Sequence, residues 1–164
     1  MAGLEPKPVR LSQSEMTEVV LPNDTNIVGT ILGGKVMHLV DLCGAIAACR
    51  HAGAVTVTAS IDHMDFRYPI RVGELVVLKS SVNRAFHTSM EVGVKVFSES
   101  MLNGERRHTS SAYLTFVALD AAGHRVEVPP VLPETADEKR RFEKAAARRD
   151  YRLSQRGLAH SSGG

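Results

Sequence analysis

The sequence predicts an α+β fold in which a long antiparallel β-sheet wraps around one central helix, with a second helix at the C-terminus. One apolar segment of helical length, over about residues 33–50, precedes a series of segments with alternating apolar residues. The connections between those segments, such as PIRVG and RAFHT, are too short to hold crossover helices. Most of the strands must therefore pair antiparallel, and the apolar helix is the element that they can cover.

Length and composition indicate one soluble globular domain. The chain has 164 residues, of which 43% are hydrophobic and 23% charged, an ordinary balance for a protein with a single core. No apolar run approaches the roughly 20 residues that a membrane-spanning helix needs, and residues 1–16 lack the apolar centre of a secretion signal. We therefore expect a cytoplasmic protein with no membrane partner.

The two cysteines are consistent with a cytoplasmic location. Cys43 and Cys49 lie on the predicted central helix, where a spacing of six residues corresponds to a rise of about 9 Å. That separation is too large for a disulfide bond, so we expect two reduced thiols, as in a reducing cellular interior.

The charge distribution argues against nucleic acid as a partner. The net charge is only +2, and residues 134–164 contain eight Lys or Arg and five Asp or Glu. The positive excess therefore belongs to the C-terminal part of the chain. Its basic and acidic residues are mixed, whereas a nucleic-acid interface presents a one-sided basic surface.

Four parts are expected along the chain. Residues 1–16 contain two prolines and little periodicity, and form a flexible N-terminal segment. Residues 17–133 form the folded domain. A capping box, Thr135-Ala-Asp-Glu138, starts a charged helix over residues 134–157 that docks through Phe142 and Ala145, and residues 158–164 form a tail. Alternation and β-branched residues predict strands over residues 17–21, 55–61, 64–68, 74–83, 89–98 and 106–120.

The central helix carries one acid, Asp41, in its middle. Apolar residues lie on nearly all sides of the helix, which predicts that other structure covers it all round. Burying an unpaired carboxylate is costly, so Asp41 needs a partner or a catalytic task, and we interpret it as the centre of the chemistry. His38 shares its face and is interpreted either as a satisfied buried histidine or as a catalytic partner. The spacing of the histidines and cysteines predicts no metal site.

Gly33 and Gly34 open this helix, and free amides at a helix N-terminus can bind an anion or polarise a carbonyl. A plain tight turn is an equally common use of such a pair. From Gly34 to Asp41 the helix rises about 10 Å, too far for both to share a reacting carbonyl within one chain. Two copies with antiparallel helices bring the helix start of one near Asp41 of the other. We therefore expect a composite site at the two-fold interface of a homodimer.

Several blocks of sequence resemble one family, and the resemblance extends over residues 17–156. The blocks are Asn26-Ile-Val-Gly-Thr-Ile-Leu-Gly-Gly, Met37-His-Leu-Val-Asp41, Val57-Thr-Ala-Ser60, Asp65-Phe66, His87-Thr-Ser-Met-Glu91 and the stretch from Val131 to Phe142. Their order and spacing are similar to those of the acyl-CoA thioesterases with the hot-dog fold, in particular the cytosolic, brain-type hydrolases that carry two such domains in tandem.

The resemblance implies hydrolysis of acyl-CoA thioesters to a free acid and CoA. No cofactor is implied, because CoA is part of the substrate and the product. An asparagine and an aspartate of the family's active site match Asn26 and Asp41, and the amides of Gly33 and Gly34 are expected to stabilise the oxyanion. The family also implies a homodimer as the minimal unit and a trimer of dimers as the larger assembly.

The turn at residues 84–89 is a candidate for contacts with CoA. Arg84, His87, Thr88 and Ser89 lie together there, and charge-assisted hydrogen bonds from such residues suit phosphates. Ordinary solvated turn chemistry is the alternative interpretation.

Two other functions stay open at this point. One is a hot-dog hydratase or dehydratase that acts on acyl thioesters, in which His38 would serve beside the acid. The other is a non-catalytic sensor that binds acyl-CoA. Release of CoA-SH from an acyl-CoA distinguishes hydrolysis from both.

Overall fold

The computed structural model describes residues 3–161 and confirms the predicted fold class, an antiparallel sheet curled around one long helix. The elements in chain order are β1 Lys7–Pro8, β2 Ser14–Val19, α1 Gly33–Ala52, β3 Val55–Ile61, β4 Leu75–Ala85, β5 Ser89–Glu99, β6 Arg106–Leu119, β7 Val131–Leu132 and α2 Ala136–Ser161. The five main strands are arranged in the order β2-β4-β5-β6-β3, so β2 and β3 are the edges of the sheet. β1 and β7 form a separate parallel pair.

The inner face of the sheet packs against α1. Alternate residues of the central strands, among them Leu78, Val94 and Leu114, are buried in one core with the helix. The helix comes closest at Gly44, where a Cβ atom would lie 3.2 Å from the ring of Phe116. Because a protein core has no spare volume, a larger residue at Gly44 would push the helix off the sheet.

The opposite side of α1 is open in the single chain. Met37, Leu42 and Ile46 lie along this side and are 43%, 42% and 38% exposed. Within the single chain, the predicted cover of the helix on all sides is therefore incomplete. The sheet covers one half, and the other half keeps an apolar stripe of the kind that marks an interaction surface.

The N-terminal segment packs against the domain, although its composition predicts a flexible lead-in over residues 1–16. β1 pairs with β7, and Val9 is buried in the core. β2 begins at Ser14, three residues before the predicted strand, and pairs with β4 along its whole length. These contacts are tertiary, and the local sequence pattern does not reveal them.

The strand predicted over residues 64–68 is wrong. The chain runs there as an irregular segment beside β6. The amide of Arg67 donates to the carbonyl oxygen of Thr109 (3.1 Å), and Ser110 Oγ donates to that of Asp65 (2.7 Å). Two isolated hydrogen bonds do not make a ladder, and Pro69, which has no amide hydrogen, follows directly.

The C-terminal helix α2 begins with the predicted capping box. Thr135 Oγ1 accepts from the amide of Glu138, and Glu138 Oε2 accepts from the amide of Thr135, both at 3.1 Å. The helix continues to Ser161, into the region expected as a tail over residues 158–164, of which residues 162–164 lie outside the described part. Across residues 3–161, no helix is both long and apolar enough to cross a membrane.

His51, near the end of α1, is fully buried. Its Nε2 lies 2.7 Å from the carbonyl oxygen of Pro129, which can only accept, so Nε2 carries a hydrogen. Nδ1 has no partner among the described residues. Burial lowers the pKa of His51 below its ordinary value of 6.5, although the hydrogen bond to Pro129 opposes the shift. The folded chain therefore holds this histidine in its neutral form.

We expect the free energy of unfolding to fall as the pH drops below 6.5, because the unfolded chain then binds a proton at His51 that the folded chain excludes. Above pH 6.5 the stabilisation is fully present. The slope from this one group approaches about 1.4 kcal/mol per pH unit. Urea unfolding of the wild type and of His51→Gln between about pH 5 and pH 8 measures it. Glutamine keeps a donor for Pro129 and does not titrate, so equal slopes in both proteins would contradict this role.

Candidate active site

Asp41 lies on the open side of α1 and is half-buried. Thr58 of β3 donates a hydrogen bond of 2.5 Å to Asp41 Oδ1. A β-bulge follows at once, since the pairing of β3 with β6 shifts register between Thr58 and Ser60. Bulges re-aim side chains beside active sites. The hydroxyl fixes one carboxylate oxygen, and Oδ2 accepts no hydrogen bond within residues 3–161.

Asn26 lies in the loop between β2 and α1, where Thr25 and Ile31 form an isolated bridge. Asn26 Oδ1 accepts from the amides of Val28 and Thr30 (3.1 and 3.2 Å), and Nδ2 donates to Thr30 Oγ1 (2.9 Å). These bonds fix the side chain in the manner of an Asx turn. The residue is exposed, and the amide nitrogen has a second hydrogen for a ligand.

Gly33 and Gly34 form the first turn of α1, and within residues 3–161 their amides donate no hydrogen bond. A cleft of about 320 Å³ lies beside them, with walls that include Val36, Phe66 and Ile70. The ring of Phe66 comes to 3.5 Å from the position that a Cβ atom would take on Gly33. The cleft is mostly apolar, and it opens at the positive end of the helix.

The site residues therefore form two groups in one chain. Asp41 and Thr58 make a carboxylate half-site, and Asn26 makes an amide half-site together with Gly33, Gly34 and the cleft. No hydrogen bond or ion pair joins the two half-sites in the described part of the chain. They are separated along α1, where the helix start and Asp41 are about 10 Å apart.

The four residues expected to contact CoA lie at the turn between β4 and β5, and two of them already contact α2. The Arg84 guanidinium lies 3.9 Å from the centre of the Phe142 ring and donates to the Phe142 carbonyl oxygen at 3.3 Å. Ser89 Oγ accepts a hydrogen bond of 3.4 Å from an arginine of α2. His87 is exposed and Thr88 is half-buried. The turn thus offers His87 and Thr88 to a ligand more readily than Arg84 and Ser89.

The other reactive side chains are less suited to catalysis. Burial raises the pKa of the Cys43 thiol, which keeps it protonated and a poor nucleophile. His38 is exposed on α1 and, in residues 3–161, is not hydrogen-bonded to Asp41. Among the described residues, no cluster of three His, Cys, Asp or Glu side chains is placed to hold a metal ion. Asp41, with its fixed hydroxyl partner, is the group best placed for acid–base chemistry.

Sequence reasoning does not identify Thr58 and Phe66 as members of the site. Thr58 lies in a run of alternating Val and Thr and is predicted as an ordinary strand residue. Its contact with Asp41 depends on the bulge, and that of Phe66 with Gly33 depends on an irregular segment. Both residues do fall within the blocks that resemble the thioesterases, and that is the signal that could have identified them.

A long helix seated in a curled antiparallel sheet is the hot-dog architecture, and here the helix carries a carboxylate halfway along it and free amides at its start. Residues 28–105 match the model of the thioesterase superfamily. Over 151 residues the chain is 41% identical to an uncharacterized acyl-CoA thioester hydrolase of Bacillus subtilis, covering 90% of this chain and 88% of that one. The chain belongs to the thioesterase superfamily, in its branch of acyl-CoA thioester hydrolases.

Solved structures agree with this family. An apo-hexameric acyl-CoA thioesterase is 43% identical, with a TM-score of 0.90 and with 94% of this chain and 99% of that one covered. The Staphylococcus aureus acyl-CoA hydrolase, in complex with butyryl-CoA, CoA and CoA disulfide, is 36% identical, with a TM-score of 0.88 and 95% of each chain covered. The S. aureus enzyme has also been solved as three variants, with an aspartate, an asparagine or a threonine replaced by alanine.

A human relative is longer than this chain. The cytosolic acyl coenzyme A thioester hydrolase of Homo sapiens is 36% identical over 146 residues, which cover 88% of this chain and 38% of the human protein. The likeness therefore concerns a part of that protein that corresponds in length to one domain of the kind described here.

Replacing Thr58 with valine removes the hydroxyl that holds Asp41 and keeps the branched shape of the side chain. We expect kcat for acyl-CoA hydrolysis to fall roughly tenfold to a hundredfold, the effect of losing one hydrogen bond to a charged group. The melting temperature should change little, because Thr58 is exposed in the single chain. Thr58→Ser keeps the hydroxyl and is the matched control. Release of free thiol measures the rate, and a wild-type kcat in Thr58→Val would contradict this role.

Proposed function

We propose that this protein hydrolyses acyl-CoA thioesters at composite sites, each built by two copies of the chain. In each site the carboxylate half-site of one copy faces the amide half-site of the other. The observation that carries the proposal is the separation of Asp41 from Asn26, Gly33 and Gly34 in the folded chain. Each half-site lacks the groups that the other holds, so a second copy with an antiparallel helix completes both.

Apolar surface around the half-sites supports a second copy as the partner. Ile27 and Val28, at the tip of the loop that carries Asn26, are 104% and 71% exposed. The side chains of this stripe, Met37, Leu42 and Ile46, lie to either side of Asp41 on the half of α1 that the sheet leaves uncovered. A two-fold axis would cover the loop tip and the stripe together, because the same surface serves both partners.

The two edge strands of the sheet, β2 and β3, differ in charge, and only β3 suits pairing with a second copy. β2 carries Glu15 and Glu18, and charges at an edge discourage the addition of another strand. β3 has the uncharged sequence VTVTASI, on which Val55 and Val57 are exposed. Antiparallel pairing of β3 with its copy would satisfy the free backbone groups of this edge and continue the sheet across the dimer.

The half-sites supply the groups that thioester hydrolysis needs. Asp41 takes a proton from water while the water oxygen bonds to the carbonyl carbon of the thioester. Amides at Gly33 and Gly34 of the second copy stabilise the developing oxyanion, and Asn26 orients the water or the carbonyl. Collapse of the intermediate breaks the C–S bond, and the departing thiolate takes up the proton to give the free acid and CoA-SH.

The alternative mechanism is nucleophilic attack by Asp41 itself. The carboxylate oxygen would then bond to the carbonyl carbon, the thiolate would leave, and water would open the resulting mixed anhydride. The same oxyanion amides serve both routes. Neither route uses a cofactor.

The cleft beside Gly33 suits the acyl chain. Its volume is about 320 Å³ and its walls are mostly apolar, as an acyl chain requires. We propose that the CoA moiety contacts the turn with Arg84, His87, Thr88 and Ser89. The side chains of His87 and Thr88 are the freer ones, because Arg84 and Ser89 already contact α2.

The relatives support this arrangement and a larger assembly. The three S. aureus variants replace an aspartate, an asparagine and a threonine, which are the residue types of Asp41, Asn26 and Thr58 in the half-sites of this chain. The hexameric relative supports a trimer of dimers for this chain. The cytosolic relative supports a cytoplasmic location.

One assay separates hydrolysis from the two competing functions. The protein is incubated with acyl-CoAs from short to long chain and a thiol reagent. Release of CoA-SH supports hydrolysis. Addition of water to an unsaturated acyl-CoA without thiol release would support the hydratase, and tight binding without any turnover would support the sensor.

Asp41→Ala and Asn26→Ala should each abolish most of the turnover while the fold persists. Mixed dimers of the two variants should regain activity, because one of their two sites combines an intact Asn26 with an intact Asp41. A mixed dimer keeps one of its two sites and should have about half of the wild-type activity, and an unfractionated mixture with random pairing should have about a quarter. Coexpression of the two variants with different affinity tags, followed by purification through both tags, selects assemblies that contain both chains for the thiol assay.

The activity of the mixed dimer distinguishes a composite site from a site confined to one chain. A site confined to one chain leaves the mixed dimer with no intact copy, so activity would stay at the level of the single variants. Coexpression of two differently tagged Asp41→Ala chains is the matched control, and it should remain inactive. An inactive mixed dimer would contradict the composite site.

Ile46→Asp tests the dimer surface directly, because it places a charge in the apolar stripe of α1. We expect the variant to move toward a monomer in light scattering after gel filtration and to lose activity with it. Leu102→Asp is the matched control, since Leu102 is 98% exposed and lies in the turn between β5 and β6. If Ile46→Asp had the same oligomeric state as Leu102→Asp and the wild type, the proposed interface would be contradicted.

A further inference from the structure

The C-terminal helix α2 docks on the outer face of the sheet through a buried charge network. Glu91 of β5 is 0% exposed. Its carboxylate accepts from Asn83 Nδ2 at 3.0 Å and from Arg148, with Nε 3.0 Å from Oε2 and a terminal nitrogen 2.6 Å from Oε1. The Arg148 guanidinium also lies 3.7 Å from the centre of the Tyr113 ring. Burial alone would lower the pKa of Arg148, but the hydrogen bonds and charge of Glu91 raise it.

This network satisfies the buried carboxylate and fixes the position of α2. A buried charge that loses its partner is strongly destabilising, so Glu91 and Arg148 hold the helix in one register on the sheet. The next turn of α2 then has a defined place as well. Arg152 lies on that turn, one helical repeat beyond Arg148.

Arg152 links α2 to a different part of the molecule. Its guanidinium is 3.5 Å from Glu91 Oε2 and donates a hydrogen bond of 2.8 Å to Asp62 Oδ2. Asp62 follows the last residue of β3, and its amide donates to the carbonyl oxygen of Tyr113 at 2.8 Å. The side chains of Arg152 and Asp62 are 19% and 24% exposed, so water screens this ion pair only in part.

Asp62 is the first residue of the irregular segment 62–70, which forms a wall of the cleft at the start of α1. Phe66 and Tyr68 of this segment line the cleft, and Phe66 covers Gly33. Beyond Asp62, the segment is tied to β6 by the two isolated hydrogen bonds at Arg67 and Asp65. At its far end the segment is anchored by Ile70, which is buried in the core and accepts a hydrogen bond of 2.7 Å from the amide of Ile31. The Arg152–Asp62 ion pair is the side-chain contact that anchors its near end.

We infer that the ion pair between Arg152 and Asp62 positions segment 62–70, and through it the Phe66 wall of the cleft. The inference rests on the proposed function in one respect, since it takes the cleft as the place of the acyl chain. Arg152 and Asp62 are positioning residues in this scheme and do not touch the substrate. The C-terminal helix thereby sets how well the enzyme holds long acyl chains.

The test compares Arg152→Gln with the wild type on acetyl-CoA and decanoyl-CoA. We expect KM for decanoyl-CoA to rise about threefold to tenfold, the loss of contact with one or two methylenes. Turnover of acetyl-CoA, whose acyl group does not reach along the cleft, should stay within about twofold of the wild type. Arg152→Lys keeps a cation for Asp62 and should restore most of the lost affinity.

Arg149→Gln is the matched control. Arg149 lies on the same helix and contacts the sheet through Ser89 at 3.4 Å and the Phe86 ring at 4.1 Å, without a bond to segment 62–70 in the described contacts. Its chain-length profile should equal that of the wild type. The inference would be overturned if the chain-length profile of Arg152→Gln equalled that of the wild type, or if Arg152→Gln and Arg149→Gln changed it in the same way.

Amide hydrogen exchange gives a readout that does not depend on activity. Peptides covering residues 62–70 should exchange faster in Arg152→Gln and in Asp62→Asn, and at the wild-type rate in Arg149→Gln. An equal exchange rate in all four proteins would overturn the positioning role. Failure of the wild type to release thiol from any acyl-CoA would instead overturn the proposed function, and the exchange rates would still decide the role of the ion pair.

Discussion

The contact between Gly44 and the ring of Phe116 is the constraint on which the rest of the structure depends. The ring lies only 3.2 Å from the place that a Cβ atom would take on Gly44, so a larger residue there would require the ring or the helix to shift. This contact fixes the depth of α1 and also its rotation about its own axis. Asp41 lies one turn earlier, and the same rotation directs its carboxylate at β3, where Thr58 meets it.

The helix therefore has two apolar sides with different roles. The sheet covers the side that includes Gly44, and this contact belongs to the stability of one chain. The side with Met37, Leu42 and Ile46 has no cover in the chain itself. Because the carboxylate of Asp41 lies on the uncovered side and is only half-buried, the chain avoids the cost of an ionised group in a dry core during folding.

Much of the fold follows from the sequence because its signals are local. The length of α1, the alternation in β4 to β6 and the capping box at Thr135 each reflect neighbouring residues, and the structure confirms them. The segment at residues 64–68 has the same alternation and is irregular, because a strand also needs a partner over its length. The all-round apolar pattern of α1 predicts cover without saying which chain provides it.

In the candidate site, too, some residues have a local sequence signal and others depend on tertiary structure. Asp41 stands out in the sequence because a charge interrupts an apolar helix. Thr58 does not stand out, because its role arises from a bulge and a register that depend on the folded sheet. Gly33 and Gly34 stand out because they open a helix, and Asn26 is recognisable only through the resemblance. The union of these three residues with Asp41 across two chains stays a prediction. The arginines of α2 are visible as charge in the sequence, but their individual partners, such as Glu91, are set by tertiary packing.

The uncharged edge of β3 has a consequence for the life of a newly made chain. Its sequence, VTVTASI, is rich in β-branched residues and has neither charge nor proline, a composition that favours stacking of strands from many molecules. A copy whose β3 edge is unpaired is therefore open to aggregation.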